Sequence, residues 1–170
     1  MIKEIEIIGH NDQKLHAISN NVQGTPDAIV LLVHGMQEHA ARYAWFAQKL
    51  EAENIYFLAA DLRGHGRNML CGRPGLDDGD IYLNIVADYK LFADQLRAQY
   101  PDVPIILFGH SYGSFISQRF IRDGHPEISK IILCGSSRMN GALLKFGRLV
   151  ALICKRVKGY CAYTCIYTYY

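Results

Sequence analysis

The sequence predicts an α/β domain, a mainly parallel sheet with helices on both faces. Two observations carry this. Ala28–Val33, Ile55–Ala60, Pro104–Phe108 and Lys130–Cys134 are apolar runs without polar alternation, as expected of strands buried on both faces. Segments with helical spacing lie between these runs, so strands alternate with helices. No internal repeat or low-complexity linker divides this part of the chain.

The elements follow in order. Ile5–Ile8 reads as a strand, and after the turn-like Asn11-Asp12 a second, weaker one lies near Leu15–Ser19. Gly24-Thr25-Pro26-Asp27 is a turn before the first buried run. From His39 to Glu53 the spacing is helical, with Tyr43, Phe46, Ala47 and Leu50 on one face. Residues 61–79 are rich in Gly and Asp and read as a loop. Asp80–Tyr100 is an amphipathic helix in which Ile85, Tyr89, Phe92 and Leu96 share a face, and Asp78 or Asp80 stands where an N-cap is needed. Tyr112–Arg122 is a further helix, closed by Gly124 and Pro126.

Composition narrows the function classes. The chain has 170 residues, half apolar and a fifth charged, the balance of a soluble globular domain with a core of its own. Lys and Arg number 18 against 16 Asp and Glu, with no basic block, so no nucleic-acid partner is expected. The five cysteines form no Cys-x-x-Cys pair and have no histidine cluster beside them, which argues against zinc. Their odd number, with a charged and alternating N-terminus in place of a secretory signal, reads as reduced thiols in a cytoplasmic protein. Ala142–Cys154 is apolar but too short to span a bilayer, and Lys145 and Arg148 interrupt it.

The chemistry centres on Gly109-His110-Ser111-Tyr112-Gly113, set between a buried strand ending at Phe108 and a helix beginning at about Tyr112. A serine on that sharp turn is held in a strained conformation with its hydroxyl raised at the sheet's edge, the position of a nucleophile. The flanking glycines are expected where neighbouring chain leaves no room for a Cβ. The helix start adds a positive dipole end and free N–H groups. The competing reading is a serine in a Gly-rich turn that binds a phosphate or nothing. Neither Gly-x-x-x-x-Gly-Lys nor Gly-x-Gly-x-x-Gly occurs to support a phosphate site. Acyl chemistry also needs donors for the developing oxyanion. The backbone N–H of Tyr112 is one, and the second is assigned to Met36 in the loop His34-Gly35-Met36 after the first buried strand. Gly35 is expected to let the chain turn there, and the His34 ring to tie down neighbouring backbone.

These residues resemble a known group. His34-Gly35-Met36-Gln37-Glu38-His39 with Arg42-Tyr43, then Asp61-Leu62-Arg63-Gly64-His65-Gly66, then Gly109–Gly113 are similar, in order and spacing, to three motifs of monoacylglycerol lipase and lysophospholipase-like α/β-hydrolases. The resemblance runs from about residue 1 to about residue 158. It implies the α/β-hydrolase fold with strand order 1-2-4-3-5-6-7-8, of which about six of eight strands are in this sequence. It divides the chain into the N-terminal part of the core over 1–135, the start of a helical cap over 136–158, and a divergent tail over 159–170. The implied reaction is hydrolysis of a small acyl-ester substrate, an acylglycerol or lysophospholipid, through an acyl-enzyme on Ser111. Neither metal nor organic cofactor is implied, and the cap start offers contact with a lipid surface.

The pattern then breaks. A serine needs a histidine base, and the base an orienting acid, in the chain order Ser, Asp/Glu, His. After Ser111 the one histidine is His125, at the far end of a helix about 16 Å long. His10, His16 and His39 lie in strand, turn or helix start, and His110 is expected to point elsewhere. His65 is the remaining substitute, because its loop lies at the carboxyl end of a strand. The resemblance makes it a structural loop residue. Asp102, Asp123 and Glu127 read as surface carboxylates, so no triad acid or histidine is assigned. Residues 159–170 carry no charge, are crowded with Tyr and Cys, and read as the product of a frameshift or early stop, with a natural short form as competitor. The expectation is a serine ester hydrolase by descent whose chain is inactive and poorly soluble alone. The solubility argument rests on an exposed sixth strand and an apolar cap face of Leu143, Leu144, Phe146, Leu149, Val150, Leu152 and Ile153. The alternatives are an enzyme completed by another chain and a non-catalytic α/β binding module.

Overall fold

The computed structural model describes residues 1–124 and 126–137, and beyond them only the helical positions 141, 145, 146, 149, 150, 152, 153 and 156. The chain forms two units, Met1–Ser136 and Ser137–Tyr170. Of the second, Phe146, Leu149, Leu152 and Ile153 are exposed. The rest of the expected cap, the tail over 159–170, and His125 lie outside the described residues.

The first unit holds β1 (Lys3–Ile8), β2 (Lys14–Ser19), β3 (Ala28–Val33), α1 (Ala44–Ala52), β4 (Ile55–Ala60), α2 (Ile81–Gln99), β5 (Ile105–His110), α3 (Tyr112–Arg122) and β6 (Ile128–Cys134). The strands form one sheet in the order β1-β2-β4-β3-β5-β6. β1 pairs antiparallel with β2, and β2 with β4. The pairs β3–β4, β3–β5 and β5–β6 are parallel. This is the mainly parallel sheet that the apolar runs predicted, in the strand order that the resemblance implies.

The lack of alternation in β3 has a direct cause. Ile29, Leu31 and Val33 pack into one core with Ile85, Tyr89, Phe92 and Leu96 of α2 and Ile116 and Phe120 of α3. Val30 and Leu32 face the opposite core, against Ala47, Tyr43, Phe46 and Leu50 around α1. Both faces of the strand are covered, so both must be apolar. Full burial of a side chain such as Phe57 or Phe92 contributes about 1.5–3 kcal/mol. Tyr89 is buried but satisfied, because its hydroxyl donates to the Leu32 carbonyl at 2.8 Å.

Two segments refine the expectation. The helix expected from His39 begins instead with a 3-10 turn over Ala40–Tyr43, and His39 itself is extended and exposed. The Asp61 carboxylate accepts the Ala40 N–H, which fixes the entry as a turn before α1 starts. At α2, Asp80 is the cap, accepting the N–H groups of Tyr82 and Leu83 at 3.0 and 3.1 Å.

The segment between β4 and α2 is a loop, as its composition suggests, but a closely tied one. Arg63 reaches Asp88 of α2 through Nε at 2.7 Å and Nη2 at 2.8 Å, and Nη2 also donates to the His10 carbonyl at 2.6 Å. Asp61 accepts the Arg67 N–H at 2.8 Å and faces His16 Nδ1 at 3.1 Å. Gly64 has φ +69°, and a Cβ there would lie 2.9 Å from the Gly75 backbone, so only glycine fits the crossing.

Candidate active site

Ser111 stands between β5 and α3 with φ 50° and ψ −115°. That places a non-glycine residue in a region L-residues avoid. The conformation is held from both sides. The Ser111 N–H donates to the Cys134 carbonyl at the end of β6, 2.8 Å away, and its carbonyl accepts the N–H and hydroxyl of Ser114 at 2.9 and 2.6 Å. A serine at a helix start usually caps the helix, but this side chain makes no capping bond. Among the described residues its Oγ has no hydrogen-bond partner, so the hydroxyl is left for something else.

The glycines on either side are required by space. A Cβ on Gly113 would run into the Val33 carbonyl, and one on Gly109 would lie 2.7 Å from the Gly113 carbonyl oxygen. β3 therefore passes directly against the start of α3. This close pass brings the loop after β3 to Ser111: a Cβ on Gly35 would lie 3.2 Å from the Ser111 Cβ and 2.9 Å from Glu38 Oε2. The expected reason for Gly35 was a turn. Its φ is not in the left-handed region, so the reason is close approach instead. Met36, half-buried, is the next residue of that loop, and Tyr112 is the first residue of α3.

His34 behaves as its side chain was expected to. It is fully buried, with Nδ1 2.8 Å from the Gly35 carbonyl, and Nε2 accepts the Leu62 N–H at 2.9 Å. With Nε2 accepting, Nδ1 must carry the proton and donate. Burial pushes its pKa down to about 4, so the ring is neutral at physiological pH.

Three further histidines, His16, His65 and His110, have ring partners of their own. His65 is buried, its Nδ1 is 2.9 Å from the Arg63 carbonyl, and its ring stacks 6.5 Å from that of Tyr112. Burial lowers its pKa as well. His16 faces Asp61, and His110 faces Tyr43 and Glu38. Among the described residues no histidine nitrogen lies within hydrogen-bond reach of Ser111 Oγ. Asp123 is paired with Arg119 at 2.9 Å, Asp102 is exposed, and Glu127 is half-buried rather than a plain surface carboxylate. Among the described residues no group of three His, Cys, Asp or Glu could hold a metal ion.

One feature escaped the sequence reading. Glu38 is a hub: Oε2 accepts the Gly35 N–H at 2.9 Å and the Tyr43 hydroxyl at 2.8 Å, and lies 3.2 Å from His110 Nδ1. Oε1 pairs with Arg42 at 2.9 Å. Burial alone would raise this carboxyl, but the Tyr43, Gly35 and His110 donors outweigh it and hold the pKa below the usual range. Tyr43 is raised by burial and by the Glu38 charge. The signal lay in the spacing of Glu38 and Tyr43, but the partner His110 is far away in sequence.

A mainly parallel sheet with a strained serine between a central strand and a helix defines an α/β-hydrolase. Residues 24–161 match the family described as serine aminopeptidase, S33, and the chain belongs to it. It is 37% identical to monoglyceride lipase of Mus musculus over 94 residues, 55% of this chain and 30% of that one. It is 33% identical to monoacylglycerol lipase of Mycolicibacterium smegmatis over 110 residues, 65% of this chain and 38% of that one. Among solved structures, a highly thermostable carboxyl esterase from Bacillus coagulans in complex with glycerol is similar with TM-score 0.75 and 28% identity, over 93% of this chain and 52% of that one. The chain thus spans between 30% and 52% of the length of these three proteins.

Proposed function

We propose that this chain carries the nucleophile and oxyanion donors of a carboxylic ester hydrolase acting on an acylglycerol or lysophospholipid. Ser111 Oγ attacks the ester carbonyl carbon as its proton passes to a base. The carbonyl oxygen becomes an oxyanion held by the Met36 and Tyr112 N–H groups. The C–O bond to the alcohol then breaks, the alcohol leaves with a proton, and water hydrolyses the acyl-enzyme. The observation that carries the reading is the uncapped, strained Ser111 set against Gly35. Ester rather than peptide substrates are favoured by the lipase and esterase relatives, although the family takes its description from a peptidase. No histidine stands at Ser111 among the described residues, so the base and its orienting acid are assigned outside them. Cys71 and Cys134 are free thiols, in keeping with a cytoplasmic setting. Among the described residues no helix is long and apolar enough to cross a membrane.

The test is labelling with a fluorophosphonate, together with turnover of p-nitrophenyl butyrate and of an amino-acid p-nitroanilide. Labelling of the chain that is lost in Ser111→Ala supports the nucleophile. Butyrate turnover without anilide turnover, in the chain or in its co-expressed complex with the C-terminal part of a relative, supports the esterase. A folded chain that never labels, alone or complemented, is a binding module and overturns the proposal.

A further inference from the structure

We propose that Glu38 is a positioning residue that fastens the His34–Met36 loop to the end of β5 and so sets the oxyanion side of the site against Ser111. This rests on the hydrolase reading above. The contacts divide in two. Gly35 and Tyr43 approach Glu38 Oε2 from the segment between β3 and α1, at 2.9 and 2.8 Å. His110 approaches from β5 at 3.2 Å and is the residue directly before Ser111. One carboxylate oxygen therefore joins the two chain segments that meet at the nucleophile.

The proton arrangement is determined by the groups present. Tyr43 Oη lies 2.8 Å from Glu38 Oε2 and 2.9 Å from His110 Nδ1. An unprotonated Nδ1 would set its lone pair against the carboxylate. Nδ1 must therefore carry hydrogen and donate to Glu38 and Tyr43, while the Tyr43 hydroxyl donates to Glu38. Oε2 then receives an N–H, an O–H and a ring N–H, with the carboxylate side chain 11% exposed. Bonds to an ionised acceptor are about twice as strong as neutral ones, and burial strengthens them further. The Arg42 pair lies on a side chain that is 59% exposed and adds little.

Glu38 Oε2 holds the Gly35 N–H, while His34 Nδ1 holds the Gly35 carbonyl at 2.8 Å. Gly35 sits between Glu38 Oε2 and the Ser111 Cβ, so close that one methyl group would touch both. Removing the carboxylate frees one wall of that slot and releases the Gly35 N–H, so that the Gly35-Met36 peptide is held only from its carbonyl side, by His34, and can shift. An oxyanion donor misplaced by a fraction of an ångström loses much of its effect, because its bond forms fully only in the transition state.

The experiment follows fluorophosphonate labelling of Ser111 over a series of probe concentrations, giving the saturating rate, the half-saturating concentration and the final stoichiometry. Backbone amide exchange at Gly35 and Met36 is read alongside. Glu38→Ala is expected to lower the saturating rate at least about tenfold, with half-saturation and stoichiometry little changed, the pattern of a lost transition-state interaction. Exchange at Gly35 and Met36 rises while α2 stays protected. Glu38→Gln recovers most of the rate, since its amide oxygen still accepts from Gly35 and Tyr43. If Glu38→Ala does not fold, Glu38→Asp, whose carboxylate falls one methylene short, takes its place with the same outcomes. A rate equal to wild type overturns the proposal, as does a loss confined to stoichiometry, or a Glu38→Gln chain as slow as Glu38→Ala. If wild-type Ser111 does not label, either alone or co-expressed with the C-terminal part of a relative, the hydrolase reading fails on its own. The positioning claim is then decided by exchange, and unchanged exchange at Gly35 and Met36 overturns it.

Discussion

At Ser111 the fold sustains a backbone conformation that costs on the order of 1–3 kcal/mol. It can do so because three neighbours over-determine the turn: the Cys134 carbonyl, Ser114, and the Val33 backbone against Gly113. Gly113→Ala tests this. The new methyl meets backbone on two sides, which cannot move away as a flexible side chain would, so the cost should reach about 3 kcal/mol, the upper end for overpacking. A urea midpoint unchanged from wild type would show that β3 and α3 are less tightly joined than described. His34 makes a second prediction. Its ring is neutral when folded down to about pH 4, whereas the unfolded chain takes up the proton near pH 6.5. Its contribution is complete above about pH 6.5 and is lost as pH falls from there towards 4, on the order of 3 kcal/mol in all. His65, also lowered by burial, acts in the same direction. Stability by urea titration should therefore drop between pH 7.5 and 4.5, and His34→Gln should flatten part of that slope. Both residues were legible in the sequence because their roles are local, a glycine-flanked elbow and a ring bonded to the next carbonyl. Glu38 was not, because its meaning depends on His110, brought to it only when β3 and β5 pair.

Among the elements, those set by local periodicity were read correctly apart from the entry to α1, and those set by distant charge were not. α2 shows both. Its apolar face and its Asp80 cap follow from spacing alone. Asp80→Ala removes a side chain that satisfies two N–H groups and should cost about 1 kcal/mol, measured as a shift in thermal midpoint. Asp88, on the same helix, is nearly fully buried and is the anchor of Arg63. Nothing in helical spacing marks it, because its partners are Arg63 and the His10 N–H. Asp88→Ala leaves a buried guanidinium without its counter-charge and should cost about 3–5 kcal/mol. The paired change Arg63→Met with Asp88→Leu should cost less than Asp88→Ala alone, since no charge is then left unpaired. A double-mutant cycle showing simple additivity would mean that Arg63 is compensated by Asp77, 3.4 Å away, rather than by Asp88.

At the scale of the whole sheet, one edge is polar and the other, among the described residues, is apolar. β1 closes the first edge as a short strand with Lys3, Glu4 and Glu6 exposed, which discourages pairing with another chain. β6 is the opposite edge, and it is apolar: Ile131, Ile132 and Leu133 are 37%, 46% and 39% exposed, where the equivalent residues of β3 and β5 are mostly buried. A sequence that reads as a buried strand therefore lies uncovered among the described residues, the same conflict seen in the exposed Leu149 and Leu152 of the second unit. An edge of this kind attracts either a second copy or the dye that reports exposed apolar surface. The 170-residue chain at tens of micromolar is expected to bind anilinonaphthalene sulfonate and to run in light scattering as a concentration-dependent mixture of sizes. Ile132→Lys, the most exposed of the three, should reduce both signals while leaving the Gly113 and Asp88 contacts, and hence the urea midpoint, near wild type. A wild-type chain that is monomeric and dye-free at that concentration would mean that β6 is covered by parts of the chain outside the described residues, and Ile132→Lys would then destabilise it instead.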